Sequence, residues 1–264
     1  IRMNSSFVTI KDLSLSFGKK ANELHVLDSI DLKISRQESL VIIGPSGCGK
    51  STLLKLIGGL KLNANISGSI TINDKLPSEF KQNGNIGFAF QNPVLLRWRN
   101  VFENVLLPLE LKETITNVDK ELVINALTLT GIEEFKGAFP NELSGGMKQR
   151  VNLASTIVHN PELLLLDEPF GSLDEISRLK LNFELKEIIR SRSYTTILIT
   201  HSLREALLLG DRIVLLTHRP AKLYRTFIPN LDGEVKAGIE TSTSFNKELK
   251  HLTNFFLDLE YDKK

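Results

Sequence analysis

The chain has 264 residues, 41% of them hydrophobic and 24% charged, which is typical of a folded globular protein and excludes a disordered one. Its net charge of +2 at pH 7 gives no reason to expect nucleic acid as a partner. The chain has one cysteine, Cys48, which excludes an internal disulfide and favours a reducing compartment. We expect neither a signal peptide nor an apolar run of the ~20 residues that a membrane helix needs, so a membrane role would need a separate partner.

The N-terminal part of the chain has the pattern of strands followed by a strand–turn–helix unit. Apolar and polar residues alternate over 7–17 and 26–34, which predicts an antiparallel sheet with one solvated face. The short apolar run 39–43 precedes a glycine-rich turn and predicts a buried strand. The elements expected next are a helix over 50–58 and strands over 68–72 and 85–90.

The rest of the chain predicts a helical region followed by alternating strands and helices. From about 101 to 158 the pattern is helical, with helices over 119–130 and 145–157. The later alternation predicts a parallel α/β core into which the helical region is inserted. Its elements are a strand over 163–166, a helix over 175–191, a strand over 195–199, a helix over 203–209 and a strand over 212–216.

The tail predicts an amphipathic helix. Its apolar residues recur three and four positions apart, so they fall on one side of a helix. They are Phe245, Leu249, Leu252, Phe256 and Leu259.

The segment GPSGCGKS fits the phosphate-loop pattern G-x-x-x-x-G-K-[ST] and lies between a predicted strand and a predicted helix. Such a loop turns its backbone N–H groups toward a phosphate, and the helix N-terminus adds positive potential. Lys50 would reach the β- and γ-phosphates, and the Ser51 hydroxyl would bind Mg²⁺. The alternative is a glycine-rich turn with a surface lysine. The residues expected to contact nucleotide here are Gly44, Pro45, Ser46, Gly47, Cys48, Gly49, Lys50, Ser51 and Thr52.

A second element of the same chemistry is LLLLDEP, in which a predicted strand ends in two carboxylates. Asp167 is placed to hold Mg²⁺, and Glu168 to act as the general base that polarises the attacking water. An acidic pair at a strand end can also simply cap a turn. Its position downstream of a phosphate loop favours the catalytic interpretation.

The segment LSGGMKQR at Leu143–Arg150 resembles the signature motif of ATP-binding-cassette ATPases. Its Ser144 precedes a predicted helix that Gly145 and Gly146 open, and the three residues would form a second anion site. In that family, the motif closes over the ATP of the other protomer. The resemblance therefore implies a homodimer that forms head to tail around two ATP molecules.

Other motifs of the family follow in order. Gln91 matches the glutamine that senses Mg²⁺ and links to the membrane subunit. SLD, ending in Asp174, matches the loop that crosses the dimer interface. His201 matches the histidine that contacts the γ-phosphate, although a lone histidine is more often structural. Phe17 matches the aromatic residue that stacks on adenine, with core packing as its alternative.

The segment FQNPVLLRWRNVFENVLLPLEL, residues 90–111, resembles the ATPases of importers for nitrate, sulfonates and taurine. Arg97 stands before Trp98, where these importers usually carry proline. The resemblance makes this segment part of the groove that receives a helix of the membrane subunit. Alternatively, Trp98 and its apolar neighbours pack under the helical region.

Together these motifs predict an α/β P-loop NTPase core, a parallel sheet flanked by helices, with an antiparallel β subdomain and a helical subdomain that carries the signature motif. The ATPase domain is expected over 3–220, with the helical subdomain at about 92–158, and a C-terminal extension over 221–264.

The resemblance implies the ATP-hydrolysing subunit of an importer, with ATP and Mg²⁺ as cofactors. Its expected partners are a second copy, integral membrane permease subunits and, indirectly, a solute-binding protein. The expected location is cytoplasmic, on the inner face of the cell membrane.

Two other classes of function remain open from the sequence. One is a non-transport cassette ATPase in DNA repair or translation, but repair members usually carry a long coiled coil and translation members usually carry two cassettes. The other is a scaffold or assembly factor that binds nucleotide with little turnover; the presence of Glu168 and His201 argues against it. Co-purification with an integral membrane protein would separate these functions from import.

Overall fold

The computed structural model describes residues 6–18, 22–110, 114–231 and 238–261. The described strands are β1 (Val8–Phe17), β2 (Leu24–Ile34), β3 (Ser39–Ile43), β4 (Asn65–Ile72), β5 (Ile86–Ala89), β6 (Leu163–Asp167), β7 (Thr195–Ile199), β8 (Arg212–Leu216) and β9 (Leu223–Phe227). The helices are α1 (Lys50–Ile57), α2 (Pro77–Gln82), α3 (Val101–Leu106), α4 (Asn117–Leu129), α5 (Gly145–Ile157), α6 (Glu175–Arg192), α7 (Leu203–Leu209) and α8 (Thr243–Tyr261).

The predicted antiparallel sheet is confirmed, with strand order β2-β1-β4. Its central strand, β1, changes the phase of its alternation: Ile10 is buried, and the next buried apolar residue is Leu13. A register irregularity falls between them, where Asp12 has φ +45°. Gly68 on the neighbouring strand lies against the Asp12 carbonyl and itself has φ +84°, so a side chain there would be excluded. One bulge thus keeps both halves of β1 facing the same core.

The second sheet has the order β5-β6-β7-β3-β8-β9, parallel from β5 to β8, with β9 antiparallel at one edge. The predicted parallel α/β core is therefore confirmed. Every residue of β3, β6 and β7 is buried, as expected for strands covered by helices on both faces. These apolar runs place the carboxyl ends of the three strands side by side at one edge of the core.

The helices α3, α4 and α5 lie between β5 and β6 in the chain and pack against one another. The buried side chain of Asn104 fixes the segment that leads into them. Its Oδ1 accepts a hydrogen bond from the Leu96 N–H at 2.7 Å, and its Nδ2 donates to the Leu96, Arg99 and Asn100 carbonyls. A turn without regular structure is thereby held in one conformation.

The tail contains α8, which packs against α7 and β9. The aromatic rings of Phe227 and Phe255 meet edge to face, with centroids 5.9 Å apart.

The sequence predicted neither β9 nor α2. The expected boundary between the ATPase domain and the C-terminal extension, at residues 220 and 221, falls directly before β9. The expected outer limits of these two regions, residues 3 and 264, lie outside the described residues. Residue 111, which ends the segment 90–111, and residues 232–237 of the extension lie outside them too. A membrane-crossing helix is not found in the described part of the chain, where no helix combines the required length and apolar character.

Replacing Leu252 by alanine is expected to lower the free energy of unfolding by about 2–5 kcal/mol, because Leu252 is fully buried and its truncation leaves a cavity. Leu257 on the same helix is 45% exposed, so Leu257→Ala should change stability by about 0.5 kcal/mol or less. Urea denaturation measures both. Equal effects of the two substitutions would contradict the packing of α8 against the core.

Candidate functional site

A cavity of about 540 Å³ opens where β3 and β6 end, beside the three-stranded antiparallel sheet β2-β1-β4, hereafter the small sheet. It brings together most of the residues that the sequence singles out. The cavity is lined by Phe17, Leu24, Val26, Gly44, Ser46, Gly47, Gly49, Lys50, Ser51, Thr52, Gln91, Glu168, His201 and Arg219.

The phosphate loop joins β3 to α1 and depends on glycine at its end. Gly49 has φ +120°, and a Cβ there would lie 2.7 Å from Cγ1 of Val26. The Lys50 ammonium is buried and donates to the Gly44 and Pro45 carbonyls, each at 2.8 Å. The loop therefore holds a positive charge beside the N-terminus of α1, which is a favourable place for an anion.

Cys48 lies in this loop, but its side chain is 2% exposed and belongs to the core beneath the small sheet. Burial raises the pKa of its thiol, and the nearby Lys50 charge opposes that shift. Its side chain therefore fills space, and only its backbone is available to a ligand of the loop. Pro45 also contributes through its backbone, as an acceptor for Lys50.

A hydroxyl in the cavity lining contacts a buried carboxylate that is not itself part of the lining. Ser51 Oγ donates to Asp167 Oδ1 at 2.9 Å. Asp167 is 7% exposed, and burial is the main cause that raises its pKa, followed by the neighbouring Glu168 charge; the Ser51 bond acts in the opposite direction. A cation bound here would relieve the cost of the buried carboxylate.

Glu168 contacts two other residues that the sequence singles out, Gln91 and His201. Its Oε2 accepts a hydrogen bond from Gln91 Nε2 at 3.0 Å and lies 3.3 Å from His201 Nδ1. Its backbone is left-handed, with φ +46°, a conformation that costs about 1–3 kcal/mol in a non-glycine residue. The Glu168 N–H donates to the Ile199 carbonyl at 2.9 Å, which anchors this turn to β7.

The remaining predicted residues lie at helix N-termini and do not line this cavity. Ser144 caps α5 by accepting a hydrogen bond from the Met147 N–H, and a side chain at Gly146 would meet no atom within 4 Å. Asp174 caps α6 by accepting from the Ser177 N–H at 2.9 Å, and this bond holds the pKa of Asp174 below its usual value. The N-terminus of α5 is therefore open for contact with another molecule.

Sequence reasoning missed three lining residues, Leu24, Val26 and Arg219. Val26 was visible only as part of a predicted strand. Arg219 follows β8, the neighbour of β3, so the shared edge of the sheet is the signal that could have indicated it. Arg219 is exposed and has no ion-pair or hydrogen-bond partner among the described residues.

Comparison with known proteins identifies the family. A family model described as ABC transporter matches residues 27–171, more than half of the chain. The chain belongs to the ABC transporter family. It is an ATP-binding cassette, and its fold is that of the family's ATPases.

Relatives of this cassette cover most of its length. It is 38% identical to an uncharacterized ABC transporter ATP-binding protein of Methanocaldococcus jannaschii, over 94% of the chain and 91% of the relative. It is 40% identical to the aliphatic sulfonates import ATP-binding protein SsuB of Bacillus subtilis, over 83% of each. The cassette is thus an ATPase homologous to import ATP-binding subunits.

Solved structures support the same assignment. The ABC transporter cassette MJ0796, solved as a dimer, is 29% identical, with a TM-score of 0.73 over 86% of this chain and 100% of that one. A second structure of MJ0796, with the same identity, TM-score and coverage, is a dimeric post-hydrolysis state bound to ADP and Pi.

Arg219→Ala is expected to weaken ATP binding about tenfold, or about 1.4 kcal/mol, because it removes an unpaired cation from the cavity wall. The control is Arg225→Ala, since Arg225 lies over the Phe255 ring, 4.7 Å from its centroid, and does not line the cavity. Titration calorimetry at low and high salt measures both. An unchanged ATP affinity in the Arg219 variant would show that this arginine does not contact the nucleotide.

Proposed function

We propose that this cassette is the MgATP-hydrolysing subunit of an importer and works as a homodimer with separate membrane permease subunits. The observation that carries the proposal is the joint placement of Lys50, Ser51 and Glu168 in one cavity, with Gln91 and His201 in contact with Glu168. A scaffold that only binds nucleotide would not require a carboxylate held in this strained position.

Ser51 and Asp167 would hold Mg²⁺. Both offer oxygen ligands, and Mg²⁺ typically binds one or two carboxylate or hydroxyl groups of the protein while keeping several waters. The described residues contain no group of three or more carboxylate, histidine or cysteine side chains that could hold a metal, so a Mg²⁺ bound largely by phosphate and water fits this site. When bound with ATP, Mg²⁺ neutralises charge that develops on the phosphates.

The side chains around this site divide the chemistry among themselves. Lys50 would move from the Gly44 and Pro45 carbonyls to the β- and γ-phosphates. Glu168 would accept a proton from the attacking water. Its contacts with Gln91 and His201 already hold its carboxylate in position for this step. His201 would then stabilise charge on the γ-phosphate.

Phe17 would stack on adenine at the opposite end of the cavity. It lines the cavity beside Leu24 and Val26 and is partly buried against the core beneath the small sheet. Its ring therefore belongs to both, so core packing and stacking are compatible.

A second copy would complete the site. Ser144, Gly145 and Gly146 form the exposed N-terminus of a 13-residue helix and do not line the cavity of their own chain. We infer that they cover the γ-phosphate bound by the partner, and that the interface segment, Ser172–Asp174, lies across the dimer contact. The dimeric form of the MJ0796 cassette supports this arrangement.

The surface after Gln91 is the proposed contact for the permease. Trp98 is 74% exposed, so the alternative that it packs in the core does not describe this structure. Val94 and Arg97 beside it are exposed too, whereas Phe102 is half-buried against the core. A large aromatic side chain on a surface held rigid by Asn104 is well suited to anchor a partner helix.

The location and solute follow from these partners. The subunit would lie on the cytoplasmic face of the membrane, bound to its permease, and a solute-binding protein would deliver the solute on the other side. By similarity to the SsuB relatives, we propose a small solute of the aliphatic sulfonate class. The resemblance of residues 90–111 to the ATPases of nitrate and taurine importers keeps these solutes as alternatives.

Glu168→Gln should preserve ATP binding but lower kcat by about 10²–10⁴-fold, because the amide cannot accept the proton of water. The variant should also accumulate as an ATP-bound dimer, since hydrolysis would no longer separate the copies. Steady-state hydrolysis and gel filtration with MgATP measure these effects. Hydrolysis at the normal rate would remove Glu168 from the role of base.

Trp98→Ala should weaken permease binding by about 2 kcal/mol or more and abolish coupled transport, while the isolated subunit binds ATP normally. Because Trp98 is exposed, its loss should leave the fold intact. Phe102→Ala is expected to lose permease binding as well. The matched control is Ile228→Ala, an apolar residue that is 70% exposed beside β9.

The measurement is capture of the co-expressed permease together with ATP binding by each variant. If both the Trp98 and the Phe102 variants capture the permease as the wild type does, the docking surface lies elsewhere. If no membrane protein accompanies the wild type, the chain functions outside transport.

A further inference from the structure

A second cavity, of about 260 Å³, lies between α6 and α7, apart from the nucleotide cavity. Its lining includes Arg178 and Asn182 from α6 and Glu205 from α7. Glu205 is 4% exposed and Asn182 is 3% exposed. Polar groups this deeply buried in an α/β core require partners or a functional reason.

Each of these three side chains has one buried polar atom without a hydrogen-bond partner among the described residues. The atoms are Arg178 Nε, Asn182 Oδ1 and Glu205 Oε1. A guanidinium donor and a carboxylate acceptor thus line the same small cavity. Opposite charges attract more strongly where burial reduces screening by water, as it does at Glu205. Burial raises the pKa of Glu205, whereas the Thr200 hydrogen bond and then the Arg178 and His201 charges oppose that shift.

The other carboxylate oxygen of Glu205 secures the turn that carries His201. Thr200 donates its hydroxyl to Glu205 Oε2, and the same hydroxyl oxygen accepts a hydrogen bond from the Ser202 N–H at 3.0 Å. Ser202 Oγ in turn accepts a hydrogen bond from the Glu205 N–H at 3.3 Å. Thr200 and Ser202, the two neighbours of His201, are therefore held by the carboxylate and the backbone N–H of Glu205.

Arg178 makes the corresponding contact on the other side of the cavity. Its Nη2 donates to the Leu173 carbonyl at 2.7 Å. Leu173 is the central residue of the interface segment. A displacement of that segment would therefore move the guanidinium that lines the cavity together with Glu205.

We propose that Glu205 is a positioning residue for His201. Through its attraction to Arg178, it also ties His201 to the interface segment. The position of His201, which is proposed to contact the γ-phosphate, thereby depends on whether a second copy is bound at the interface segment. This inference rests on the proposed function, because it assumes a dimer and hydrolysis that depends on Glu168 and His201.

The test is a double-mutant cycle in the full chain with Glu205→Gln, Arg178→Gln and the combined variant. We expect each single variant to lower kcat about tenfold, since small displacements of a catalytic group have effects of this size or larger, while the Kd for ATP changes about twofold or less. The combined variant should be no slower than the slower single variant. Additive losses would overturn the link between the two residues.

Two further variants separate positioning from general stability. Thr200→Val removes the hydroxyl that joins Glu205 to the His201 turn and should lower kcat with unchanged ATP affinity, even if the Glu205 variants fold poorly. Glu248→Gln is the control: Glu248 is a buried glutamate on α8, away from both cavities, and its loss should leave kcat unchanged.

Parallel loss of ATP binding and kcat in the Thr200 variant would mean a structural role only and would overturn the proposal. The Glu168→Gln variant is assayed alongside. If it hydrolyses ATP normally, the proposed function fails; if it is inactive while the Glu205 and Arg178 effects are additive, only this inference fails.

Discussion

The hydrogen-bond register of three parallel strands is the constraint on which the site depends. Ile199 of β7 is paired with Ile42 of β3 on one side and with Asp167 of β6 on the other. The phosphate loop, the acidic pair and the His201 turn therefore leave the sheet at the same level. Because of this register, Ser51 reaches Asp167 and Glu168 reaches His201, although more than a hundred residues separate the first pair in the chain. A one-residue slip would turn these side chains to the other face.

The site concentrates groups that are unfavourable in a protein interior. Lys50 and Asp167 are buried, Glu168 has a left-handed backbone, and Glu205 is buried in the neighbouring cavity that supports the His201 turn. Each costs stability, and the continuous apolar strands around them supply the burial that offsets it. A ligand with phosphate groups and a divalent cation would reverse the cost for Lys50 and Asp167. The site is therefore arranged for a bound ligand more than for the stability of the unliganded chain.

The helical insertion explains why the two surfaces that we propose to bind phosphate groups are separate in one chain. The phosphate loop is part of the core, whereas Ser144 and Gly146 lie on an inserted helix and do not line the same cavity. In the proposed dimer, the partner's copy of this helix supplies the second surface. The electrostatic attraction between Glu205 and Arg178 would then connect the contact between copies to the turn that holds His201.

Much of the fold was determined by the sequence itself. The bounds predicted for β3, α5, β7, α7 and β8 match the structure, because buried apolar runs mark the strands and Ser144 and Ser202 cap the starts of the two helices. The phosphate loop and the acidic pair were also recognisable, since their chemistry needs particular residues at fixed local spacing. These are local properties, and one stretch of chain is enough to reveal them.

The tertiary structure alone decided what depends on contacts between distant segments. The short antiparallel strand β9 has a weak alternating pattern and is defined by its pairing with β8. Arg219 lines the candidate site because β8 lies beside β3, and Trp98 is exposed because Asn104 holds its segment at the surface. Likewise, Glu205 and Arg178 belong to different helices and share a cavity only after α6 and α7 pack together. Packing and strand order, which no single segment encodes, set these relations.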